Sequence, residues 1–96
     1  MVVRIFKATV KPELKKDFEN FFRYEAIPYM QVQEGIVNVV TGKPISQNDN
    51  DFVMVTTWEN IDAVRKFMDN EWNKDKLVRD EMNMLENTRI EHFEVI

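Results

Sequence analysis

The chain contains no cysteine, which excludes disulfide stapling, thiolate catalysis and zinc sites built on thiolates. Its only glycines are Gly35 and Gly42, too few for a glycine-rich loop that cradles nucleotide phosphates. Basic runs are missing as well. The densest cluster, Lys11 to Lys16, is interrupted by Glu13 and followed by Asp17 and Glu19, and the net charge is −4. That balance argues against a nucleic-acid partner, which needs a concentrated positive patch. Nothing approaches the length of a membrane-spanning helix, and the opening MVVRIFKATV alternates through Arg4 and Lys7 instead of forming the apolar centre of a signal peptide. A cytoplasmic location without a membrane partner is the expectation. Ser46 stands in a polar loop with no elbow motif, so a nucleophilic triad is implausible. With His92 the only histidine, a metal site would have to rely on scattered carboxylates, and none is expected.

What is present is apolar and aromatic. Seven Phe, two Trp and two Tyr in 96 residues are too many buriable rings for a disordered chain. The length suits a single domain over residues 1–96, with a thin core that hides about two thirds of the surface of the unfolded chain.

Residues 2–10 alternate, with Val2, Arg4, Phe6, Ala8 and Val10 on one face and Val3, Ile5, Lys7 and Thr9 on the other, which predicts a strand. Pro12 ends it and suits a first helical turn. From Glu13 the period lengthens: Leu14, Phe18, Phe21, Phe22 and Ala26 mark the apolar side of a helix. Pro28 predicts an end or kink near Ile27, with a further turn through Met30 to Glu34 closed by Gly35. Ile36 to Thr41 reads as a second strand, Gly42 to Asp51 as a polar hairpin loop, and Phe52 to Trp58 as a third strand. Asn60 is placed to cap a second helix whose apolar stripe is Ile61, Val64, Phe67 and Met68. Residues 70–86 suggest short helical pieces, and Thr88 to Val95 a fourth strand.

The order β-α-β-β-α-β predicts an α+β fold of ferredoxin-like kind, a four-stranded antiparallel sheet with its helices on one face. In that arrangement the other sheet face should be polar, yet the first three strands carry apolar groups on both faces. Such a face would be a large sticky patch on a monomer, so a homodimer is expected.

These residues resemble a known family. VRIFKATVKPELKKDFENFF is similar to the first strand, Lys-Pro junction and first helix of the antibiotic biosynthesis monooxygenase (ABM) family. EAIPYMQVQEGI resembles its helix end, where a Pro precedes a Gly-led strand, and VTTWENIDAVRKFM its third strand ending in Trp before a short helix. IEHFEVI resembles the His-aromatic-Glu ending of many members, so the likeness covers essentially the whole chain. The resemblance implies a dimeric α+β barrel with sheets packed face to face and a pocket between sheet and helices in each protomer. It implies oxygenation of electron-rich aromatics such as quinols and anthrones without metal or flavin. It also admits haem-degrading relatives, isomerases, aldehyde-handling enzymes and proteins without assigned activity.

Candidate catalytic residues are His92 and Trp58. A histidine with a pKa near neutrality suits removal of a phenolic or carbanionic proton, while its structural alternative is a strand histidine bonded to Glu91 or Glu94. Trp58 could offer its indole N–H to a substrate oxygen, as the similar Trp is thought to do in the family, or serve as a core ring. Candidate substrate-binding residues are Arg4, Phe6, Phe22, Asn38 and Trp72. Arg4, in a mostly apolar strand, must either pair with a carboxylate or face a polar pocket, where it could orient an acidic or phenolate substrate. Tyr24, Tyr29 and several methionines are weaker candidates for the same wall. The haem-degrading branch takes its axial histidine from the region after the second helix, and residues 68–86 contain none. The reading that follows is a cofactor-independent monooxygenase for a small aromatic or quinol-like molecule. Its alternatives are a non-catalytic protein binding a hydrophobic ligand, and a haem-binding relative.

Overall fold

Alternation along the first strand decides which way the sheet faces. In the computed structural model, which describes residues 1–69 and 81–96, β1 (Val2–Val10) buries Val2, Arg4, Phe6, Ala8 and Val10 and leaves the intervening side chains half-buried or exposed. β1 pairs antiparallel with β3 (Asp51–Trp58) on one side and β4 (Leu85–Glu94) on the other, and β2 (Ile36–Gly42) extends the sheet beyond β3. The order β2-β3-β1-β4 places the first strand at the centre, in a ferredoxin-like α+β arrangement. β4 starts three residues before the Thr88 that the sequence suggests. Val10 pairs with Leu85 across a register shift, and the polar Glu86 and Asn87 that follow sit on an edge strand with no alternation to signal it.

The first helical segment is continuous but not uniform. A 3₁₀ turn at Pro12–Leu14 leads into α1 (Lys15–Phe21), a π-helical turn at Phe22–Ala26 and α2 (Ile27–Gln31). Of the end or kink expected near Ile27, the structure has a local irregularity and no end: the chain stays helical past Pro28. The physical reason lies in the wider turn, where the Ile27 N–H donates to the Phe22 carbonyl five residues back. Pro28 then enters at the start of α2, where a missing N–H and a fixed φ are tolerated. Phe18 sets the core on this side. Its ring centroid lies 4.6 Å from that of Phe22 and 5.0 Å from that of Phe52, the latter edge to face.

Gly35 turns the chain into β2 with φ +82°, and an added Cβ there would meet the Ala63 Cβ at 2.5 Å. That close approach fixes α3 (Ile61–Asp69) on the sheet. The Asn60 side chain caps α3 as expected, accepting from the Ala63 N–H at 2.9 Å. Its buried face is Ala63, Val64 and Phe67, so the stripe read from the sequence is offset: Ile61 and Met68 are exposed because Ala63 must seat against Gly35. No described helix is long and apolar enough to cross a membrane.

The described helical segments cover one sheet face. On the other, the register groups Val3, Ile5, Val55 and Val40, with Val40 and the neighbouring Phe93 about half exposed.

Candidate functional site

The strand that carries Phe6 and Ala8 into the core carries Arg4 there as well, since all three share its helix-facing side. A cavity of about 180 Å³ opens over this part of the sheet. Its floor is Arg4 and Phe6 of β1, Met54 of β3, and Thr88 and Ile90 of β4. Ala26 and Met30 wall it on one side, and Phe67 and Met68 of α3 on another. Ala26 ends the π-helical turn, so the irregularity that accommodates Pro28 also sets this wall. Glu81 and Met82, just before β4, complete the described lining. Four of these residues are methionines, whose unbranched side chains adapt to varied apolar shapes.

Two opposite charges stand in this apolar setting. Arg4 is only 8% exposed and Glu81 7%. The Arg4 guanidinium carbon lies 5.5 Å from the Phe67 ring centroid, within range of a cation–π contact. Its Nε is buried with no hydrogen-bond partner among the described residues. Burial lowers the Arg4 pKa, opposed by the nearby Glu81 charge, although a guanidinium stays protonated at any ordinary pH. Burial acts the other way on Glu81 and pushes its carboxyl up to about 7, with Arg4 pulling it partly back. The site thus holds a permanent cation and a carboxyl that exchanges its proton near neutrality, with no salt bridge to either among the described residues.

His92 is the direct cross-strand neighbour of Arg4 and projects from the same sheet face. It is exposed at the rim, outside the described lining. Partial burial and the Arg4 charge lower its pKa, which keeps the imidazole neutral around pH 7. Phe6 joins Arg4 on the cavity floor.

Other expected residues lie elsewhere. Trp58 is fully buried, its ring 5.2 Å from Phe67, and its Nε1–H donates to Thr56 Oγ1 at 2.9 Å. The indole therefore backs Phe67 and has no free N–H for a substrate, which corrects its expected role. Phe22 packs in the cluster of Phe18, Phe21 and Phe52 and is no part of the described lining, because the helix turns it toward the other end of the sheet. Asn38 follows a register shift in β2 and pairs with Thr57 on the uncovered face, so it too is removed from the cavity. Tyr24 is exposed, Tyr29 packs against the core, and Trp72 lies outside the described residues. Glu81 is the site residue that sequence reasoning missed: it falls in a stretch without clean periodicity, where one more glutamate carries no signal.

A larger groove, about 630 Å³, runs along Lys15, Lys16 and Lys43, but it is shallow, and Lys15 and Lys43 are engaged. Lys15 Nζ donates to the Gln47 and Asp49 carbonyls, and Lys43 pairs with Glu19 at 2.9 Å. Among the described residues no three histidines or carboxylates gather as a metal site would require.

Comparison with known proteins places this geometry. The profile described as "Antibiotic biosynthesis monooxygenase" matches residues 1–75. A search of curated proteins finds no match. Among solved structures, a protein from Deinococcus radiodurans described as a candidate antibiotic biosynthesis monooxygenase superposes with a TM-score of 0.83 at 10% identity, over 100% of this chain and 93% of that one. SnoaB, a cofactor-independent oxygenase from Streptomyces nogalater, superposes with a TM-score of 0.80 at 18% identity, over 99% and 92%. A conserved protein from Methanosarcina mazei Go1 gives 0.78 at 19% identity, over 97% and 91%. At these identities the structures speak for the fold, while the profile, spanning more than half of the sequence, speaks for descent. The chain belongs to the antibiotic biosynthesis monooxygenase family.

Proposed function

We propose that this protein is a cofactor-independent monooxygenase for a small aromatic, quinol-like substrate, acting as a cytoplasmic homodimer of one domain per chain. The observation that carries the reading is an apolar cavity holding one buried cation, whose Nε has no hydrogen-bond partner among the described residues, and one carboxyl near its ionisation point. A phenolic or enolic substrate seated there loses a proton and becomes electron-rich. Arg4 stabilises the charge that develops on its oxygen. The substrate anion itself then supplies the electrons for O2: one oxygen atom is retained on carbon and the other leaves as water. His92, or a water it holds, relays the departing proton from the site to solvent at the rim. Family membership supports the reaction class, as does the likeness to a structure named as a cofactor-independent oxygenase.

Size narrows the substrate. A cavity of about 150 Å³ holds one benzene ring, so about 180 Å³ suits a single substituted ring better than a fused three-ring anthrone or a haem. The four methionines favour a second reading, a non-catalytic protein that holds apolar ligands of varied shape. Oxygen uptake separates the two. With the metal-free, flavin-free protein and a panel of substituted hydroquinones, the first reading expects uptake of one O2 per substrate and a hydroxyquinone product, the four electrons coming from the substrate. His92→Ala should lower the rate about tenfold or more with its circular dichroism unchanged. Saturable binding with no uptake for any compound would favour the second reading, and full activity in His92→Ala would remove that residue from the mechanism.

A further inference from the structure

We infer that Arg4 and Glu81 form a binding site for single-ring phenols or enols in their ionised form, with Glu81 the group that takes the hydroxyl proton. The inference rests on the proposed function for its reaction class, and on the cavity for its residues. Arg4 enters from the central strand and Glu81 from the segment before β4, and both line the same space. Each is more than nine-tenths buried, yet no salt bridge joins them, and the Arg4 Nε has no described hydrogen-bond partner. A buried cation left in this state is costly unless something else completes it. A substrate oxygen fits between the two groups, since as a hydroxyl it donates to the carboxylate and as an oxyanion it accepts from the guanidinium. In the transfer the O–H bond breaks, its electron pair stays on the substrate oxygen, and the proton forms the neutral carboxyl of Glu81. Net charge in the cavity is unchanged, as an apolar site requires.

Among the described residues the surrounding groups leave this pair in control. β1 supplies Arg4 and β4 supplies His92, which stands on the rim and is held toward its neutral form. Among the described residues, the helices present Ala26, Met30, Phe67 and Met68 toward the cavity, and β3 presents Met54, none of them titratable. Protonation of Glu81 near neutrality agrees with this role.

The test uses the full-length protein and 4-nitrophenol, a single-ring phenol whose ionisation is visible in its absorption spectrum. At about pH 8, where the free probe and Glu81 are both ionised, the site accepts the phenolate only after Glu81 takes a proton. Wild type should therefore take up one proton per probe bound, read by calorimetry in buffers of different ionisation enthalpy, and its affinity should fall about tenfold per pH unit above neutrality. Glu81→Gln keeps the shape and removes the proton; it should bind the phenolate at least tenfold tighter at about pH 8, with no proton uptake and no slope. Arg4→Met should lose the phenolate band of the bound probe. Absence of proton uptake by wild type, or an unchanged slope in Glu81→Gln, overturns the assignment. Wild-type proton uptake needs no variant, so a folding defect cannot mask the result. Oxygen plays no part in these measurements. The site can therefore stand while the oxygenase reading fails, if no phenol takes up O2, and the oxygenase reading can stand while this site fails.

Discussion

Glu81 illustrates how a single carboxyl links burial to pH. Its pKa rises from the ordinary 4.5 to about 7 on folding, so the folded state holds the proton more firmly than the unfolded chain. Stability from this group is fully present below about pH 4.5 and is lost as pH rises through about 7. Glu81→Gln stays uncharged throughout, so it should gain on wild type by up to about 3 kcal/mol between those limits. Urea unfolding of both proteins at several pH values checks this, and parallel pH curves would mean that Glu81 ionises normally. His92 acts with the opposite sign. Its pKa is lowered from 6.5, so its contribution is present above that value and declines on acidification. At this scale the sequence was half legible. A charged Arg4 within an apolar alternation stands out because a strand must send it either to solvent or to a partner. Glu81 does not, because its burial depends on how the chain returns to β4, which no local pattern encodes.

Among the elements, the strands were read most fully because alternation is a local signal with a period of two. The bounds of β1 coincide with the expected residues 2–10, and β3 begins one residue early. The helical segment was legible in its apolar face but not in its π-helical turn, since the sequence shows Pro28 and not how a wider turn absorbs it. The offset of α3 likewise has its cause outside the helix, in Gly35. Its cap, by contrast, is a local feature. Asn60→Ala removes the acceptor for the Ala63 N–H and should cost about 1 kcal/mol, seen as a lower urea midpoint with unchanged m. A loss that small leaves the fold intact. Because Phe67 forms part of the cavity wall, the variant should also loosen binding of the nitrophenol probe more than an equally destabilising change on the uncovered sheet face.

For the molecule as a whole, topology followed from element order, while the cavity did not. Whether rings such as Phe22 fill the space or retreat from it is settled by packing in three dimensions, and here they retreat into a separate cluster. The uncovered sheet face was legible, because apolar groups on both sides of three strands leave one side without a helix to cover it. Val55 sits in the middle of that face, paired with Ile5 on one side and Val40 on the other. A charge there has no core to disturb within the chain but opposes burial against a second copy. Val55→Lys should therefore sediment as a folded monomer where wild type sediments as a dimer. A monomeric wild type at micromolar concentration would overturn the proposed assembly.

β1 has one further consequence. It lies at the centre of the sheet, and its even-numbered residues face the helix-covered side, where Arg4 and Phe6 line the cavity, while its odd-numbered residues face the proposed partner. One strand is thus the partition between two compartments, with chemistry read out on one surface and association on the other. Parity sorts the two roles: a change at position 4 or 6 speaks to ligands, and one at 3 or 5 to neighbours. Selection can then adjust either property by single substitutions in the same short stretch without disturbing the other. An insertion of one residue, in contrast, would exchange the two surfaces and destroy both at once.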